Sequence, residues 1–324
     1  MLTEIAPNSW NGTSGRRCGS PALFPALKDS LPLRAFAKIN LGLKILGRRP
    51  DGYHEIRTVY QTVALHDRLR VSLRKDRKGV VVRCDHPAVP AREGNLVYQA
   101  CELWREARKF RGGISVHLIK QIPAGSGLGG ASSDAAATLL GLERLLGDPM
   151  QPARRFELAA RLGSDVPLFL LGGRVLGCGR GQEVYPLEDF PRRKCLIVFP
   201  GFAVSTAEAY READSRLTKP AQGPNMFEFG VWSQFSPYGW GPAENDFEQV
   251  VFAKWPELAR LKSRLLRAGA EIASLTGSGS ALYAVFASAR KLARASKLIP
   301  RGWQVFLTRT LPRAEYQRLL FAGR

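Results

Sequence analysis

Residues 123–136 read Pro-Ala-Gly-Ser-Gly-Leu-Gly-Gly-Ala-Ser-Ser-Asp-Ala-Ala, and this run limits the possible folds more than any other segment. Glycines at 125, 127, 129 and 130 let backbone amides approach a ligand with no Cβ in the way. Ahead of them Ile114, Val116 and Leu118 alternate as in a strand. Behind them Ser132 to Leu146 reads as a helix ending at Gly147. A helix start carries free N–H groups and partial positive charge, so strand, glycine loop and helix together suit a phosphate group. A flexible turn with an N-cap is the plainer alternative. Four glycines, the hydroxyls of Ser132 and Ser133 and a following helix favour phosphate. No Gly-Lys-Ser/Thr follows, which excludes a Walker A loop, and the run lies too deep in the chain for a dinucleotide fingerprint in its usual place.

The flanking pattern is mixed. From Ala35 to Ile45 the odd positions are apolar, whereas Lys38 and Asn40 share the other face, so a strand with one buried face is expected. Arg49-Pro-Asp-Gly52 supplies a turn. Strand-like runs follow over 58–65, 69–73 and 80–83. A helix over 95–110 is capped by Asn95 and stopped by Gly112-Gly113. Further helices are expected over 153–162, from Ser205-x-x-Glu208 onward, and over 256–268, with strands over 174–178, 195–199 and on both sides of 276–280. Residues 219–244, rich in Gly, Pro and aromatics, read as a long loop. Consecutive early strands favour an α+β class over a doubly wound parallel sheet.

Composition narrows the function. The 324 residues exceed one compact core, so two domains are expected. The charge of +20, from 48 basic and 28 acidic residues, is spread along the chain and excludes an acidic solvating protein. A basic surface is its simplest account; steering of polyanionic substrates is a second. No nucleic-acid-binding motif supports a third account, nucleic-acid binding. No membrane span is present, and the cysteines at 18, 84, 101, 178 and 195 form no C-x-x-C pair. Four scattered histidines without H-E-x-x-H argue against a zinc hydrolase. Residues 1–33 lack a signal-peptide core and read as a poorly ordered extension. Glu4, Asp29 and sparse Arg and Ser speak against plastid import, so the bacterial cytoplasm is the expected location.

The glycine run resembles the second motif of the GHMP kinase superfamily. Ala37-Lys-Ile-Asn-Leu-x-Leu43, Leu162-Gly-Ser-Asp-Val-Pro-Leu-Phe169, Asn245-Asp-Phe-Glu248 and Leu275-Thr-Gly-Ser-Gly-Ser-Ala281 extend the resemblance from about Arg34 onward. Arg49-Pro-Asp-Gly-Tyr-His54 is similar to one branch, whose acceptor carries a cytidine diphosphate. Ser126 and Ala131 stand where that branch commonly has glycine. The resemblance implies a two-domain α+β fold. Its first domain would be like ribosomal protein S5 domain 2 (residues 34–180) and its second ferredoxin-like (181–324), with the active site in the cleft between. The last strand is expected to return to the first domain.

It also implies roles. Asp165, otherwise a plain helix cap, becomes the catalytic base, and Lys38 the cation that stabilises it and the transferring phosphoryl group. Pro123, Ala124, Gly125, Ser126, Gly127, Leu128, Gly129, Gly130, Ala131, Ser132 and Ser133 would bind ATP, flanked by Asn95 and Lys120. Mg²⁺ is expected with the nucleotide; Ser132 or Ser133 is a candidate ligand. Asn40, Tyr53, His54, Thr206 and Tyr210 would hold the cytidylated substrate, with Tyr53 and Tyr210 on either side of the base and His54 on its polar edge. The expected assembly is a monomer or weak homodimer. Rivals are a homoserine or mevalonate type of GHMP kinase and a basic RNA-binding protein with an S5-like domain.

Overall fold

The computed structural model describes residues 30–74, 78–87, 89–90, 92–216 and 244–322. The loop expected over 219–244 lies outside these up to residue 243, and so does the expected extension up to residue 29. Strands β1 (Ser30–Arg48) and β2 (His54–Arg74) pair antiparallel along nearly their whole length. Their turn closes where the Gly52 amide donates to the Arg49 carbonyl at 3.0 Å. Strand β1 begins at Ser30, within the expected extension and ahead of the expected start at Ala35, because Leu31 and Leu33 continue the alternation and are buried.

The two runs expected over 58–65 and 69–73 are one strand. The polar interruption at His66-Asp67-Arg68 does not break the pairing. Asp67 is fully buried, and its carboxylate accepts the Gln121 and Ile122 amides at 2.5 and 2.8 Å. Four more strands, β3 (Gly79–Cys84), β4 (Gly113–Ile119), β5 (Arg174–Cys178) and β6 (Glu183–Pro186), complete a six-stranded sheet ordered β3-β4-β2-β5-β6, with β1 on β2.

Helices α1 (Leu96–Arg108), α2 (Gly130–Leu146), α3 (Pro152–Leu162) and α4 (Leu168–Leu171) share the first core with this sheet. Asn95 caps α1 as expected. The helix closes at Lys109, in the left-handed conformation with φ 49°, rather than at Gly112-Gly113. The Lys109 N–H satisfies the carbonyls of Arg105 and Glu106, and Gly113 already belongs to β4.

The second sheet is antiparallel, ordered β10-β7-β9-β8: β7 (Lys194–Phe199), β8 (Ile272–Leu275), β9 (Leu282–Phe286) and β10 (Gln304–Arg309). Helices α5 (Thr206–Arg216), α6 (Phe247–Lys254), α7 (Pro256–Arg267) and α8 (Ala289–Ser296) build a second core with it. A third core joins the sheets, where Ala37, Ile39 and Leu41 of β1 pack with Ile197, Tyr283 and Val285. Both faces of β1 are therefore buried from Ala35 to Leu43, which overrides the expected single buried face.

The chain end returns to the first domain: directly after the last strand Thr310 bridges Val63 of β2 antiparallel, and a helix follows. Strand β10 stays paired with β7 over six residues. Beyond it the Leu311 amide donates to Thr62 at 2.8 Å, and α9 (Arg313–Leu320) lays Tyr316 and Leu320 into the first core. Their four-residue spacing sets both on one helical stripe. Among the described residues no helix is long and apolar enough to cross a membrane, and Cys84, Cys101, Cys178 and Cys195 are free.

Candidate active site

The chain leaves β4, turns through the glycine run and enters α2 two residues earlier than expected, at Gly130. Gly129, at φ 72°, is the N-cap and supplies no side-chain cap, so the first-turn amides of α2 keep their donors free of one. Gly127 has φ 80°, and a Cβ there would lie 2.1 Å from the Thr276 carbonyl oxygen. Ser126 and Ala131 are not at positive φ, so replacing glycine there costs no backbone strain. The Ser126 hydroxyl donates to the Pro123 carbonyl at 2.6 Å and closes the loop. Residues 123–132 line a cavity of about 1010 Å³. Ser133 lies behind them, buried; neither its hydroxyl nor Asp134 Oδ1 has a partner among the described residues.

Lys38 and Asp165 meet in the same cavity, Nζ to Oδ2 at 3.4 Å. Asp165 is not the N-cap of α4: Pro167 holds that position and makes no side-chain cap bond. Its other carboxylate oxygen accepts the Tyr60 hydroxyl at 3.0 Å. Burial, then the Asp165 charge, pushes the Tyr60 phenol well above its ordinary range, so it stays a donor. Sequence reasoning missed Tyr60, although it stands opposite Asn40 in the β1–β2 register.

Asn40 is a brace as much as a cavity wall. Its Oδ1 accepts from Lys38 Nζ at 2.8 Å, the Gly277 amide at 2.8 Å and the Thr276 hydroxyl at 3.2 Å, and its Nδ2 donates to Thr58 at 2.8 Å. The second glycine loop, between β8 and β9, is thereby tied to β1. The single Thr276 hydroxyl hydrogen is shared between Asn40 and the Gly127 carbonyl, the latter at 3.1 Å, and Asn245 donates to the carbonyls of Leu275 and Gly277 at 2.9 Å each. Both glycine loops and the Lys38–Asp165 pair thus form one hydrogen-bonded unit.

The flanking residues divide. Asn95 Oδ1 accepts the Val97 amide and its Nδ2 donates to Pro90, each at 2.8 Å, so the capping alternative describes it directly. Lys120 bridges two buried carboxylates, Asp67 and Asp134, the latter at 2.7 Å. Burial opposes the Lys120 charge, but Asp134 and Asp67 outweigh it and raise its pKa. Burial pushes the Asp134 carboxyl well above its ordinary range; Lys120 opposes this and Asp67 adds to it.

At the far end of the cavity, Tyr53 is 54% exposed with the Arg180 guanidinium 4.4 Å from its ring centroid. His54 does not stand apart from Tyr210: the rings stack at 4.3 Å and 11°. Asp214, which sequence reasoning missed, lies 2.6 Å from His54 Nε2. Thr206 pairs with the Ser278 hydroxyl at 2.9 Å, while Ser205 receives the Glu208 amide at 3.4 Å as the capping pattern predicts. Among the described residues no group of three or more His, Cys, Asp or Glu is placed to hold a metal ion.

The family described as GHMP kinases N terminal domain matches residues 95–173, and that described as GHMP kinases C terminal matches 239–299. The 4-diphosphocytidyl-2-C-methyl-D-erythritol kinase of Solibacter usitatus is 45% identical over 271 residues, covering 82% of this chain and 84% of its own. A crystal structure of 4-(cytidine 5'-diphospho)-2C-methyl-D-erythritol kinase superposes with a TM-score of 0.72 at 32% identity, covering 86% of this chain and 99% of its own. A homoserine kinase from Cytophaga hutchinsonii reaches a TM-score of 0.65 at 20% identity over 90% of this chain and 98% of its own, a likeness of fold alone.

Proposed function

This chain belongs to the 4-diphosphocytidyl-2-C-methyl-D-erythritol kinases, a family of GHMP kinases, and from that membership we propose the reaction its residues carry out. It transfers the γ-phosphoryl group of ATP to the 2-hydroxyl of 4-diphosphocytidyl-2-C-methyl-D-erythritol, giving ADP and the 2-phosphate, in the non-mevalonate route to isoprenoid precursors. The bacterial cytoplasm is its place of action. The observation that carries this reading is the Lys38–Asp165 pair, at 3.4 Å, in one cavity with the glycine run.

Asp165 Oδ2 accepts the proton of the attacking hydroxyl, while Tyr60 and Lys38 fix the carboxylate. Lys38, held by Asn40, faces the negative charge that spreads over the transferring oxygens. The amides of residues 125–130 receive the polyphosphate, where the close-packed glycines leave no side chain in the way. The unpartnered Ser133 hydroxyl and the nearby Ser132 suit a hard cation with oxygen ligands. These two hydroxyls would hold Mg²⁺, which would supply neutralisation of phosphate charge. Tyr53, His54 and Tyr210 supply the aromatic end that receives cytidine, which neither mevalonate nor homoserine would use.

The test is ADP release in a coupled assay across three acceptors. The cytidylated substrate turns over, and mevalonate and homoserine do not. Turnover of mevalonate or homoserine in its place overturns the substrate assignment.

A further inference from the structure

Asp214 has no role in the phosphoryl transfer described above, yet it is placed to control a choice the enzyme must make. It lies on α5 in line with Thr206 and Tyr210, at four-residue spacing, so the three share one helical face. That face grips His54 twice: Tyr210 stacks on the ring at 4.3 Å and 11°, and Asp214 Oδ1 meets Nε2 at 2.6 Å. Phe247 packs edge-on against Tyr210 at 4.8 Å and fixes the platform from behind. The His54 side chain is only 8% exposed, so it has little freedom to turn away. His54, Tyr210 and Asp214 all border the cavity.

A carboxylate at 2.6 Å demands a hydrogen on Nε2, since two facing lone pairs would repel. In the uncharged ring this leaves Nδ1 as an acceptor, with no partner among the described residues. Cytosine presents an N4 amino donor at the position where uracil presents an O4 acceptor. An acceptor nitrogen therefore accepts one base and repels the other. We propose that Asp214 is a positioning residue which locks His54 in the Nε2–H tautomer and so makes the enzyme select a cytidine over a uridine diphosphate acceptor. The proposal rests on the kinase reading above and assigns its base selectivity to one carboxylate.

Two measurements test it. The first compares kcat/KM for the cytidine substrate and its uridine counterpart in the wild-type enzyme, Asp214→Asn and Asp214→Glu. A carboxamide can donate its N–H to Nε2 and reverse the tautomer. Asp214→Asn should therefore lower the cytidine-to-uridine ratio by about 10- to 100-fold, mostly through KM for the cytidine substrate. Asp214→Glu should restore most of the ratio. An Asp214→Asn ratio within about twofold of wild type overturns the proposal while leaving the kinase reading intact. Failure of the wild-type enzyme to use the cytidine substrate at all would instead remove the reading it rests on. The second measurement is the ¹⁵N spectrum of the His54 ring in the free protein, which needs no turnover. A hydrogen on Nε2 is expected; a neutral ring carrying it on Nδ1 overturns the proposal.

Discussion

At the scale of single residues, the catalytic proposal depends on a carboxylate that is held but not consumed by its neighbours. Asp165 receives Tyr60 on one oxygen and Lys38 on the other. Asp165→Asn keeps only one of the two acceptor oxygens, turns an N–H group toward the other partner, and loses the capacity to take a proton. Its kcat should fall by about 10²- to 10⁴-fold. Tyr60→Phe, which leaves the carboxylate in place, should cost about tenfold or less. Both are read by ADP release, and an Asp165→Asn enzyme within tenfold of wild type sinks the assignment. The glycine run was legible from local pattern, because glycine spacing operates over a few residues, whereas Lys38 and Asp165 took their roles from the family resemblance. Tyr60 was not legible, because it contacts Asp165 across more than a hundred positions. The Asp67–Lys120–Asp134 cluster was hidden for the same reason, each member looking like a solvated charge until the chain folds.

Among elements, the two glycine loops hold each other in place. The Cβ of Gly127→Ala would meet a carbonyl oxygen at 2.1 Å, and that oxygen belongs to Thr276, which is itself bonded to Gly127. The substitution should abolish turnover and cost several times the ~1–2 kcal/mol of left-handed strain alone. Gly302→Ala is the control: it has φ +86° but nothing within 4 Å, so it should cost only that strain. Thermal melting of the two variants makes the comparison, and equal losses would show that the loops are not coupled. Most elements were visible in the hydrophobic periodicity. The errors cluster where tertiary contacts override it: the continuous β2 through a buried Asp67, the left-handed Lys109 cap, and β1 buried on both faces because a second sheet covers it. No single-strand pattern reports what another sheet will cover.

Over the whole molecule, the long-range tie is α9. Glu315 in its first turn binds Arg309 through two bonds of 2.8 and 2.9 Å and Arg192 at 2.8 Å. Burial opposes its charge, but Arg309 and then Arg192 outweigh it, so its pKa lies below the usual 4.5. Such a group stabilises fully above 4.5, and the contribution is lost as pH falls through the lowered value. The melting difference between wild type and Glu315→Gln should therefore be level near neutral pH and shrink in acid. A difference that grows in acid contradicts the assignment. Tyr316, on the same helix, donates its hydroxyl to the Phe169 carbonyl at 2.6 Å, four residues beyond Asp165. Synthesis runs from the amino end, so a nascent chain makes the glycine cradle and the proton acceptor long before the piece that buttresses them. Catalytic competence can arrive only after the segment through Leu320 has cleared the ribosomal exit tunnel. A message cut short by even that one helix would yield an unfinished core in place of a slower enzyme.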